Sequence, residues 1–141
     1  MVRYYTPKNF IIQELVDPVT HTMYGERCLT FFDPRILITL DALRVFFGRS
    51  ITVNNWKWGG EREWSGLRTP HSPYYSTFSQ HSFGRAIDFV VAGMTSEYVQ
   101  KKILEHTELF PYLTRMEKGT DGWTHIDCAN VDVEGVYVFA P

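Results

Sequence analysis

Leu113-Thr-Arg-Met-Glu117, Lys118-Gly-Thr-Asp-Gly122 and Trp123-Thr-His-Ile-Asp127 follow one another without a break. The outer two are short runs that read as strands, whose successive side chains fall on opposite faces. The middle five residues are small, polar or glycine, which suits a reversal of the chain. The stretch therefore predicts an antiparallel hairpin, with Trp123, His125 and Asp127 on one face and Thr124, Ile126 and Cys128 on the other.

Downstream of the hairpin, Val136–Phe139 reads as a last strand. Upstream, Thr95 caps a helix reaching about His106, with Val99, Ile103 and Leu104 turned inward and Lys101, Lys102 and Glu105 on a solvated face. Residues 86–91 and 51–54 read as strands. The clearest helix covers 34–47: Asp33 is an N-cap residue, Pro34 suits the first turn, and Gly48 suits the stop. Its Ile36, Leu40, Leu43 and Phe47 form one apolar stripe. Residues 8–16 read as a short helix closed by Asp17-Pro18. Helices and strands mix without a βαβ rhythm. The expected architecture is α+β, one small domain over 1–141, with a mainly antiparallel sheet and two to three helices.

The 141 residues are 44% hydrophobic and 16% aromatic, which excludes a disordered chain. A net charge of -2 argues against a nucleic-acid partner, because phosphate binding needs a basic excess. No run is long and apolar enough for a membrane span. Met1–Pro7 has no apolar signal core, so the expectation is synthesis in a cytoplasm, with release or phage carriage needed for work on a cell wall. Cys28 and Cys128 are the two cysteines, too few and too far apart for a disulfide framework. Residues 55–80 are a long stretch without helix or strand period, and such loops are usually functional. Their rings (Trp56, Trp58, Trp64, Tyr74, Tyr75, Phe78) suit either a substrate groove or a small satellite core, and the core is the expected arrangement for most of them.

The chemistry concentrates in two places. In Ser79-Gln-His81-Ser-Phe-Gly84-Arg-Ala86-Ile-Asp88, a histidine and a carboxylate flank a glycine that lets the chain turn between them. Asp88 falls on a strand face with Ala86 and Val90, and a carboxylate pressed toward an apolar side needs a cation or a metal. His125, beside Asp127 on the hairpin, completes two imidazoles and one carboxylate. With a fourth place left for water, that is a catalytic zinc set. His21, His71 and His106 carry no such pattern and read as ordinary polar residues.

Ser79, His81, Gly84, Ala86 and Asp88 resemble the first zinc motif of the LAS peptidases, S-x-H-x-x-G-x-A-x-D. This superfamily takes in D-alanyl-D-alanine carboxypeptidases, phage endolysins, murein endopeptidases and the hedgehog zinc domain. Trp123-x-His125-x-Asp127 is similar to the second motif, and Ser65-Gly66-Leu67-Arg68 to an S-G-x-R element that precedes the first. The resemblance implies a hedgehog/D-Ala-D-Ala-peptidase-like fold and one zinc held by His81, Asp88 and His125. It also implies substrate contacts from Arg68 and Ser79, and hydrolysis of amide bonds in peptidoglycan peptides by a monomer. The acid that relatives carry three residues before the last histidine is here Gly122. The proton-accepting carboxylate is then sought among Asp121, Asp127 and Glu117, in that order. Two other expectations stand beside the peptidase: a catalytically silent zinc module with a structural or wall-binding role, and a dipeptidase acting on free D-amino-acid dipeptides.

Overall fold

The computed structural model describes residues 2–141. Its helices are α1 (Pro18–Tyr24), α2 (Pro34–Phe47) and α3 (Ser96–Glu105). Its strands are β1 (Ile51–Thr52), β2 (Ala86–Val91), β3 (Arg115–Glu117), β4 (Thr124–Asp127) and β5 (Tyr137–Phe139). They form one sheet in the order β1-β2-β4-β3-β5, antiparallel at each junction except β3–β5. The expected small α+β fold with a mostly antiparallel sheet is what forms. The parallel junction has a topological cause: β2 already covers one edge of β4, so the chain leaving β4 returns to the outer edge of β3.

Helix α2 forms as its sequence dictates. The Asp33 carboxylate accepts the Arg35 backbone N–H, Pro34 occupies the first turn, and Gly48 closes the helix at φ 63°. Its buried face of Ile36, Leu37, Leu40 and Leu43 packs in one core with Ile87, Phe89 and Val91 of β2. Val99 and Ile103 of α3, Met116 and Ile126 complete that core. Each such side chain contributes roughly 1.5–3 kcal/mol when removed from water. Leu104, expected to point inward, is instead 40% exposed, because the buried stripe of α3 is centred on Val99 and Ile103.

Four further expectations are corrected. Residues 8–16 hold only a 3-10 turn at Ile12–Glu14, and the helix follows Asp17-Pro18 rather than ending there. Asp17 accepts from the Thr20 N–H and hydroxyl, and proline at the first helical position has no N–H to lose, so the dipeptide starts a helix. The strand expected over 51–54 ends at Thr52, because Asn54 turns away to bind Val16 O and the Ser65 N–H. The apolar side of β2 is the Ile87, Phe89 and Val91 face, so Asp88 lies on the opposite, half-covered face. None of the six rings of residues 55–80 is buried, so no satellite core forms; Trp58, Tyr74 and Phe78 are more than 60% exposed.

Cys28 and Cys128 are free and buried, and burial pushes the Cys128 thiol up to about 12. Among the described residues no helix is long and apolar enough to cross a membrane.

Gly84 joins the first motif to α2. At φ 66° it packs directly on the Phe31 backbone carbonyl, leaving no space for a Cβ, and its own carbonyl accepts the Asp33 N–H. Gly119 has φ 81° but open space around it. Gly84→Ala should therefore cost well over about 2 kcal/mol, and Gly119→Ala about 1–2 kcal/mol. Urea unfolding of the two variants checks the order, and equal losses would refute the steric account.

Candidate metal centre

The sheet register builds the site. Asp88 of β2 pairs with His125 of β4, and Ala86 pairs with Asp127, so these side chains share one face. Arg115 of β3 pairs with Asp127, and extending that register by one pair sets Glu117 across from His125. Glu117 in turn pairs with Phe139 of β5. One row of the sheet thus reads Asp88, His125, Glu117, Phe139, and the row beside it Ala86, Asp127, Arg115, Tyr137. The small Ala86 side chain leaves room beside Asp127.

His81 reaches this face from the turn after Ser79, whose hydroxyl accepts the His81 N–H at 3.3 Å. Metal-ligating atoms of His81, Asp88 and His125 all lie within 4.8 Å of one another. Asp88 Oδ1 is 3.3 Å from His81 Nε2 and 2.9 Å from His125 Nδ1. A tetrahedral ion with bonds of about 2.0–2.1 Å needs ligand–ligand edges of roughly 3.3 Å, so two edges are almost in place.

The outer ring nitrogens are held as well. His81 Nδ1 lies 2.8 Å from Gly66 O, and a carbonyl only accepts, so Nδ1 carries the proton and Nε2 faces Asp88. His125 Nε2 lies 2.9 Å from Asp127 Oδ2. Asp127 is fully buried and gripped by Arg115 through two bonds of 2.8 Å. Each imidazole thus has one nitrogen anchored and the other aimed at a common point, which is how metal-binding histidines are oriented. Two imidazoles and a carboxylate would suit a divalent metal, and all three line an open cleft.

Gly66 is a functional residue that the residue pattern alone did not assign. A Cβ there would collide with the Leu15 backbone carbonyl, so only glycine lets residues 65–67 lie close enough to present Gly66 O to His81. The neighbouring bonds, Leu67 N–H to Leu15 O and Asp88 N–H to Ser65 O, fix the segment between the N-terminal region and β2. Its signal in the sequence was the glycine of the S-G-x-R element.

Electrostatics follow the geometry. Burial opposes ionisation of Asp88, but bonds from His125 and His81 outweigh it and hold the carboxyl well below its usual range. Burial also opposes the His125 charge, yet Asp127 and Asp88 raise it to about 9. Without a metal, His125 carries a proton on the nitrogen that a metal would take, so binding releases that proton.

The other expected site residues are dispersed around this centre. Arg68 lies on the cleft wall, but its Nη2 binds Asp88 Oδ2 at 2.9 Å and its Nε binds Trp64 O at 2.8 Å. Ser79 lines the same cleft while holding the His81 backbone. Glu117 lines it too and, among the described residues, its carboxylate has no hydrogen-bond partner there. Asp127 sits behind His125 as its anchor. Asp121, placed first as proton acceptor from its position in the turn, lines a separate cavity with Phe89, Met94 and Ser96. The turn is tied to α3 by the Ser96 hydroxyl on Thr120 O and by Gln100 on the Thr120 hydroxyl, which fixes Asp121 on that side. Comparisons with protein-family models, curated proteins and solved structures give no match to this chain.

Two outcomes are expected. Asp127→Asn should weaken divalent-metal binding by about 10–100-fold in a competition titration with a chromogenic chelator, since the His125 anchor loses its charge. In chelator-treated protein, His125 has a folded pKa raised to about 9 from 6.5. Its stabilising contribution is then whole below pH 6.5 and lost as pH rises through about 9. Melting of His125→Gln across that window should lack this step, and a wild-type-like slope would reject the assignment.

Proposed function

We propose that the chain is a zinc metallopeptidase hydrolysing amide bonds of peptidoglycan peptides. The observation that supports this most is the convergence of His81, Asp88 and His125, each imidazole anchored from behind, on the wall of an open cleft. Such a centre, open on one side, suits hydrolysis better than a closed structural site does. The identity of the metal and the wall peptide as substrate come from the likeness of the two motifs to the LAS peptidases. When bound, zinc lowers the pKa of water and polarises the carbonyl to be attacked.

The chain's own residues divide the remaining work. Glu117 takes a proton from the attacking water and returns it to the leaving amine, a role open to it because its carboxylate lines the cleft unpaired. Asp127 and Arg115 keep His125 in its binding orientation. Arg68 keeps Asp88 Oδ1 directed at the histidines by holding Oδ2. Trp123 and Phe139 supply apolar cleft walls. The silent-module alternative rests on Gly122, which removes the acid at its usual position.

Zinc-loaded protein should release new amino groups from purified cell walls and clear their turbidity. Glu117→Gln should lower that rate about 10²–10⁴-fold at unchanged zinc content, and Asp121→Asn should leave it unaltered. A zinc-replete wild type that releases no amine from walls or from dipeptides would leave the silent module standing.

A further inference from the structure

An asparagine side chain carries a donor and an acceptor on one rigid planar fork, and a buried one must satisfy both. Asn54 is only 1% exposed, and it does so with two different segments. Its Nδ2 donates to Val16 O at 3.2 Å, and its Oδ1 accepts the Ser65 N–H at 2.9 Å. Its own backbone N–H donates to Glu14 O at 2.9 Å. One residue thus ties residues 14–16 to residues 65–67. The two segments meet again where the Leu67 N–H donates to Leu15 O at 3.0 Å, beside the spot where a Cβ on Gly66 would strike backbone.

The other side of residues 65–68 carries the metal centre. Ser65 O accepts the Asp88 N–H at 2.8 Å, and Gly66 O holds His81 Nδ1 at 2.8 Å. The Arg68 N–H donates to His81 O at 3.2 Å, and Arg68 Nη2 binds Asp88 Oδ2. Two of the three ligands therefore take their positions from this short segment. Residues 65–68 belong to no helix or strand, so their carbonyls lie where the segment's other hydrogen bonds put them. On the side away from the ligands, those bonds run to Asn54 Oδ1 and Leu15 O.

We infer that Asn54 is a positioning residue of the metal centre. Without touching a ligand, it sets the reach of Gly66 O to His81 and of Ser65 O to Asp88. Only an asparagine suits the place. Aspartate has the same shape, but it turns an oxygen toward Val16 O where a donor is needed, and it brings a charge into a buried site. Serine is too short to bridge both segments. This role concerns the metal centre itself and holds whether or not the centre hydrolyses peptides.

The test titrates the metal-free full chain with Co²⁺ against a chromogenic chelator and follows the His81 Nδ1 proton by NMR. Asn54→Asp should weaken Co²⁺ binding about 10–100-fold and alter the ligand-field spectrum of the bound ion, as loss of a supporting partner does. The His81 Nδ1 proton should exchange with water about tenfold faster, the equivalent of one hydrogen bond. Ile103→Ala, in the core face of α3, is the control for stability alone. It should lower the melting temperature and leave both readouts at their wild-type values. A folded Asn54→Asp with wild-type Co²⁺ affinity and wild-type His81 proton exchange would overturn the inference. An equal loss in Ile103→Ala would do the same. Should Asn54→Asp fail to fold, wild type decides. Coupling is reciprocal, so bound Co²⁺ should slow exchange of the Ser65 amide by about the factor seen in affinity, at least tenfold. An unchanged Ser65 rate would overturn the role. If His81→Gln binds Co²⁺ as tightly as wild type, the metal centre falls and the role of Asn54 falls with it.

Discussion

Asp88 is a carboxylate only 13% exposed, and the surrounding structure is arranged to keep it ionised. A buried charge of this kind costs several kcal/mol unless partners approach from more than one side. They come from three separate parts of the chain: Arg68 from the segment after Gly66, His81 from the turn that Gly84 closes, and His125 from the next strand. Removing any one leaves the others around an under-compensated charge. The same demand explains why two glycines sit where a Cβ would strike backbone, since both bring a partner close to β2.

Those partners also make the centre suited to a metal rather than to a simple ion-pair cluster. In a cluster held by charge alone, the histidines need no second contact. Here each has one, a carbonyl behind His81 and a carboxylate behind His125, which set the ring orientation before any ion arrives. The Arg115–Asp127 pair extends this support a further layer, and the Arg115 guanidinium stacks 4.5 Å from the Phe139 ring centre. Arg68, which resemblance assigns to the substrate, is thereby explained first as a support of Asp88.

Much of the fold was legible because its signals are local. Asp33-Pro34 to Gly48 carries cap, first-turn proline and stop, and α2 spans those positions. Residues 86–91 and the two hairpin halves are short runs bounded by glycine-containing turns, and all three form strands. The segment before α1 was misread because Asp-Pro is locally ambiguous. Proline ends a helix that approaches it and begins one that leaves it, and only the apolar burial of Leu15 and Val16 decides between them. The same holds for the aromatic loop, whose rings have equal propensity for a core or a groove.

The sequence by itself determined which residues can bind a metal, because the spacing around Gly84 and the strand alternation at His125 and Asp127 are properties of the local backbone. Only the tertiary structure decided which acid stands with the ligands. That choice rests on the β3–β4 register, which sets Glu117 across from His125, and on the contact of the turn with α3, which carries Asp121 to another cavity. Register and turn tilt are fixed by packing between elements distant in sequence, and no local pattern in the chain encodes them.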